Sequence, residues 1–181
     1  MTQIARLPAP SPGGDRHKAV GEDTVPTCTV SASLLVMHRL GRWLILRESA
    51  GRNRWRLPGG LAQAGECPRQ AAARLAREEI GLDLPAFDLL LTSWISGDAG
   101  QPGQVVLLFS SRTINDDDLA AMTLQKPVVN SWCLGALDAD LPVLPLLAEQ
   151  LASMKIHGRG HYLEQQHPTA PRPALERTGS P

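Results

Sequence analysis

Residues 55–82 read WRLPGGLAQAGECPRQAAARLAREEIGL, and this stretch constrains the chain more than any other. Gly59 and Gly60 allow close backbone approach because they carry no side chain. Pro68 has a preset φ and no N–H, which suits the first turn of a helix. The pattern therefore predicts a helix over Pro68–Glu79 that begins close to Glu66. At 100° per residue, Ala72, Ala73, Ala76 and Ile80 fall on one arc, the face expected to pack on a sheet. Glu78 points almost opposite, and Glu79 lies at the edge of the buried arc. Leu75 projects between their directions one turn earlier, a place suited to a carboxylate. Adjacent carboxylates at a helix C-terminus repel each other and gain nothing from its negative dipole, so they need a cation or an arginine. Arg74 and Glu78, at i,i+4, form one such pair. Taken alone, Arg74, Arg77, Glu78 and Glu79 would be an ordinary solvated face.

The remainder of the chain limits the alternatives. Its 181 residues suit one domain with a core of its own. Eighteen basic residues balance eighteen acidic ones, which favours neither nucleic acid nor an anionic membrane as a partner. Three widely spaced cysteines make neither a disulfide framework nor a zinc knuckle. No signal-peptide pattern and no apolar run of about 18 residues is found, so a soluble, cytoplasmic protein is expected. Residues 1–26 and 165–181 are rich in proline and glycine and poor in apolar periodicity, and read as a disordered arm and tail. Between them, 27–164 form the folded domain. Apolar runs predict strands at 29–38 and 42–48, as neighbours across a short break, then at 87–96 and 104–114 as a hairpin, and at 128–134. A second helix is predicted over 141–156. Strands on either side of a central helix imply an α/β fold, with a mixed sheet covered by helices on its two faces.

Gly60, Glu66, Arg74, Ala76, Glu78, Glu79, Gly81 and Leu82, behind the lead-in WRLPGG, resemble the signature of the Nudix hydrolases, and the strand and helix order from about 27 to 164 is similar. The resemblance implies an α/β/α sandwich that uses Mg²⁺ or Mn²⁺. The implied substrate is a small-molecule diphosphate, namely a nucleoside triphosphate or nucleoside diphosphate derivative, cleaved to a monophosphate. Glu66, Arg74, Glu78 and Glu79 are the implied catalytic residues. Glu78, Glu79 and the Gly60 carbonyl are the implied metal ligands, and Arg54, Trp55, Arg56 and Gly59 the implied substrate contacts. Many members are dimers, so a homodimer is among the expectations. The chemistry agrees, because Mg²⁺ is commonly held by one or two carboxylates together with substrate phosphates.

Two departures stand out. The signature requires glutamate directly after the arginine, where this chain has Leu75. The loop before Trp132 also lacks the acid that many members place there. Asp116, Asp117 or Asp118 could substitute, although NDDDL also reads as a helix N-cap. Losing a general base typically costs about 10²- to 10⁴-fold in rate, which predicts a slower enzyme. The same degeneracy suits a binding-only nucleotide sensor, or an enzyme repurposed for a biosynthetic or prenyl diphosphate. Trp55 could stack a base or plug the space under the glycine loop, and Phe109 reads as core. His157 and His161 have no Cys or Asp partners for a zinc site.

Overall fold

Alternation along the strands sets the layers. The structure is a computed structural model describing residues 27–49, 55–97, 101–126, 128–135 and 145–165. In β1 (Cys28–Leu35), Ala32 and Leu34 enter one core cluster while Leu35 enters another; in β6 (Gly103–Ser110), Phe109 joins the first and Leu108 the second. Successive side chains on a strand face opposite ways, so two cores lie on the two faces of one sheet. The first core holds Ala71, Ala72, Ala76 and Ile80 of α1 (Pro68–Ile80), and the second holds Leu147 and Leu151 of α3 (Pro145–His157). This is the expected mixed sheet with a helix on each face.

The main sheet has five strands in the order β4-β1-β6-β5-β8, with β4 (Gly59–Leu61), β5 (Leu89–Ile95) and β8 (His161–Gln165) completing it. β1 runs parallel to β6 and β5 parallel to β8, whereas β1–β4 and β5–β6 are antiparallel. A second, antiparallel sheet is ordered β3-β2-β7, from Trp55–Arg56, Trp43–Glu48 and Val129–Gly135. A short helix, α2 (Asp116–Ala121), precedes β7.

Several expectations need correction. β1 and β2 belong to different sheets; beyond Leu35 the apolar run makes only single bridges, Met37 to Trp43 and His38 to Ile114. Ala71 is buried on α1 and Ala73 only half-buried, so the packed arc is rotated by part of a turn and takes in Glu79. Gln165, assigned to the tail, is a buried residue that closes β8: its amide donates to the Leu146 carbonyl at 3.0 Å and accepts from Gln150 at 3.1 Å. Residues 1–26 and 166–181, and the predicted helix start at 141–144, lie outside the described residues.

Gly59 locks the loop that precedes α1. Its φ is 141°, and a Cβ there would lie 2.3 Å from the Ala32 carbonyl oxygen and 2.6 Å from Ser33 Cα on β1. Only glycine lets β4 lie this close to β1. Gly59→Ala is expected to cost about 2–4 kcal/mol, combining backbone strain with the clash. Gly41→Ala, at φ 73° with nothing within 4 Å of the added carbon, should cost about 1–2 kcal/mol. Urea denaturation of both variants checks the ranking, and equal losses would refute the claim of close approach.

Candidate active site

The C-terminal half of α1 faces the loop locked by Gly59. Gly81, at φ 73°, ends the helix by donating its N–H to the Arg77 carbonyl. The carbonyls of Glu79 and Ile80 accept from Gln125 and Thr123 at 3.0 and 2.9 Å, so the segment after α2 satisfies the helix end.

Glu79 is only 4% exposed. Its carboxylate accepts from Arg56 Nη2 at 2.6 Å and Nη1 at 3.2 Å, and from the Gly59 N–H at 3.0 Å. Arg56 also donates to Glu48 Oε1 at 3.1 Å and to the carbonyls of Leu57 and Gly59. A carboxylate can be buried here because a forked guanidinium and a backbone N–H occupy both of its oxygens. Glu66 accepts from Arg74 Nε at 2.7 Å and Nη2 at 2.8 Å, and from the Gln63 N–H at 2.9 Å. These bonds, the Arg74 one foremost, hold its carboxyl down to about 2 from 4.5. Arg74 Nη1 also reaches Glu78 Oε2 at 3.0 Å, leaving Glu78 half exposed. Two arginines therefore each bridge two carboxylates, and each network keeps one uncompensated negative charge.

Among the sequence-predicted residues, Arg56, Gly59, Glu66, Arg74, Glu78 and Glu79 fall into these two networks. Trp55 packs against the core on the α3 face, and Arg54 lies outside the described residues. Gly60 abuts Leu75: a Cβ on Gly60 would sit 3.7 Å from Leu75 Cδ1, so hydrocarbon fills the place expected to hold a carboxylate. Two of the NDDDL aspartates, Asp116 and Asp118, serve elsewhere. Asn115 and Asp118 cap α2 reciprocally, Asp118 pairs with Arg112 at 2.7 Å, and Asp116 pairs with Arg39. Sequence reasoning missed the Arg56–Glu79 and Arg56–Glu48 pairs. The signal was the rule that a carboxylate on a helix's buried edge needs a cation, although nothing in the spacing pointed to one 23 residues away.

A cavity of about 240 Å³ opens beside this loop, with Arg56, Gly59, Gly60, Ser31 and Ser33 at one side. It runs under α3 along the main sheet.

A family profile described as the NUDIX domain matches residues 28–126. The chain belongs to the Nudix family. Three solved structures share its fold. The MutT protein from Methanosarcina mazei Go1 is 16% identical, with TM-score 0.62 over 74% of this chain and 96% of its own. A C. elegans Ap4A hydrolase is 20% identical, with TM-score 0.58 over 71% and 96%. An ADP-ribose pyrophosphatase from Streptococcus suis is 21% identical, with TM-score 0.53 over 78% and 100%. No curated protein matches the sequence significantly.

Nudix hydrolases generally use divalent metals, and the charges of this site fit one in part. Of the consecutive residues Glu78 and Glu79, Glu78 is the half-exposed one, and Glu79 has both oxygens engaged by Arg56 and the Gly59 N–H, so the protein offers an incomplete site that a divalent ion would complete with substrate oxygens. A closed, all-protein site is absent among the described residues, where no three Asp, Glu, His or Cys side chains group to hold a metal. No described helix of this Nudix domain is long and apolar enough to cross a membrane.

Two outcomes follow from the networks. Arg56→Met leaves Glu79 buried without its counter-charge and is expected to cost about 3–5 kcal/mol in urea denaturation. The Glu66 carboxyl is depressed in the fold, so its pairing stabilises fully above the ordinary value of 4.5 and is lost as pH falls toward 2. Arg74→Met should raise the Glu66 carboxyl-carbon NMR midpoint toward 4.5, and an unmoved midpoint would show that Arg74 is not the cause.

Proposed function

We propose that this Nudix domain hydrolyses the diphosphate linkage of a small molecule, and the observation that carries the reading is that two net-negative carboxylate–arginine networks, Glu66–Arg74–Glu78 and Glu79–Arg56–Glu48, both include the last turn of α1. Such a surplus repels a bare polyanion and attracts one that arrives with a divalent cation. The names of two structural relatives, an Ap4A hydrolase and an ADP-ribose pyrophosphatase, support a hydrolytic reading. In the reaction a water oxygen bonds to phosphorus, a bridging P–O bond breaks, and a proton is released, leaving a monophosphate ester and a second phosphate-containing product.

Glu78 and Glu79, with the Gly60 carbonyl, are the residues that would hold the ion, which when bound neutralises phosphate charge and lowers the pKa of water. The chain's own residues do the positioning. Arg56 fixes the Glu79 carboxylate, the Gly59–Gly60 backbone lets phosphate oxygens approach, and Arg74 fixes Glu66 and orients Glu78. Leu75 offers no acceptor for the proton of the attacking water, so turnover is slow. The apolar Leu75 beside Gly60 also favours a second reading, a domain that binds a diphosphate without cleaving it.

The test is phosphate release from a panel of nucleoside triphosphates, nucleoside diphosphate conjugates and alkyl diphosphates with Mg²⁺ or Mn²⁺. Wild type should turn over slowly, Glu78→Gln should lose about 10²-fold or more without a change in melting temperature, and Leu75→Glu should gain about 10²-fold. Turnover by Leu75→Glu alone would select the binding-only reading. Silence from both proteins across the panel would sink hydrolysis.

A further inference from the structure

The cavity beside the glycine loop is chemically one-sided. Arg56, Gly59 and Gly60 stand at its β4 edge, and it extends across β1 and β6 to Ile95 on β5. Strands lie about 4.8 Å apart, so crossing from β4 to β5 spans roughly 14 Å. Along that path the walls are Leu57, Val106, Leu108 and Ile95, with Leu146 and Leu147 of α3 above. Four polar side chains interrupt them. Ser31 and Ser33 lie near the glycine loop, Gln150 is engaged with Gln165, and Gln104 is the fourth.

Among the described residues, no aromatic ring lines this cavity. The chain has seven aromatic residues, four Trp, two Phe and one Tyr, and all seven fall among the described residues. Trp43 and Trp55 pack on the core of the α3 face, Phe109 on that of the α1 face, and Trp94 lies over Gly103. Phe87, Trp132 and Tyr162 are exposed elsewhere. No undescribed segment can therefore contribute a Phe, Trp or Tyr. Stacking on such rings is worth about 1–3 kcal/mol per base and is the usual sequence-tolerant means of holding one. The cavity instead offers aliphatic surface, which rewards hydrocarbon at about 0.8 kcal/mol per buried methylene.

We propose that the group carried by the diphosphate is a non-aromatic hydrocarbon chain, seated along Val106, Leu108 and Leu146 with its diphosphate at the Gly59–Gly60 loop. This inference rests on the diphosphate reading of the site and departs from the nucleoside expected on resemblance. A hydrocarbon tail places no polar atom against the leucines, whereas a ribose and base would have to pair with Ser31, Ser33 and Gln104 alone, Gln150 being engaged with Gln165, and would set their remaining polar atoms against hydrocarbon.

The experiment compares methyl, dimethylallyl and geranyl diphosphate with ADP-ribose and ATP, using the full chain and Mg²⁺, by calorimetric affinity and by kcat/KM. Affinity should rise up to about fourfold per buried methylene along the alkyl series. The gain should shrink in Val106→Trp, which fills the cavity, provided the variant keeps the wild-type far-UV spectrum and melts cooperatively. Binding of the alkyl series without hydrolysis would uphold this inference and overturn the hydrolase reading. Tighter binding or faster cleavage of ADP-ribose or ATP than of geranyl diphosphate would overturn this inference and leave the hydrolase reading standing. A flat alkyl series in wild type, or a gain that survives in Val106→Trp, would also overturn it.

Discussion

The site depends on one buried ion pair. Glu79 sits on the packed edge of α1 where a lone carboxylate would be strongly unfavourable, and Arg56 and the Gly59 N–H make its burial tolerable. The same contacts tie three elements together: the last turn of α1, the end of β3 and the start of β4. Arg56 extends the tie to Glu48 on β2 in the second sheet. An interaction of this kind adds little net stability relative to a well-packed apolar substitute, but it specifies how the glycine loop and the helix meet.

The layers were readable in the sequence because their signal is periodic. Long apolar runs with strand-like composition marked β1, β2, β5, β6 and β7 to within a few residues, and the proline start marked α1. The two-residue β3 and three-residue β4 are too short to carry a period, and their pairing comes from Gly59 lying against β1. β8 was not read as a strand: four of its five residues, His161–Glu164, fall within the predicted domain and only Gln165 in the predicted tail, and the bond between Gln150 and Gln165 that closes it is a long-range match that no local pattern encodes.

The candidate site was legible as a set of residues but not as a set of bonds. The resemblance to the family signature pointed to Glu66, Arg74, Glu78 and Glu79, and the i,i+4 pair of Arg74 with Glu78, read from spacing, is present. Arg56 was an implied substrate contact, and its guanidinium bonds two carboxylates and two carbonyls that no local pattern named. Local patterns give which side chains share a helix face. They do not give which distant arginine fills a carboxylate's coordination, since that depends on tertiary packing.

The arrangement of the main sheet also bears on the order in which the site is built. β1 pairs in parallel with β6, and β5 with β8, so both pairings join strands that are far apart in the chain. Non-local pairings require long loops to close before any contact rewards them, which makes such sheets slow to fold. Leu146 and Leu147, which roof the cavity, lie on the helix that leads into β8, the last of the described strands. During synthesis the Glu78–Glu79 end of α1 and its arginines leave the ribosome well before that roof exists, so the charged end of the site can be organised while its apolar wall is still open to water and to other chains.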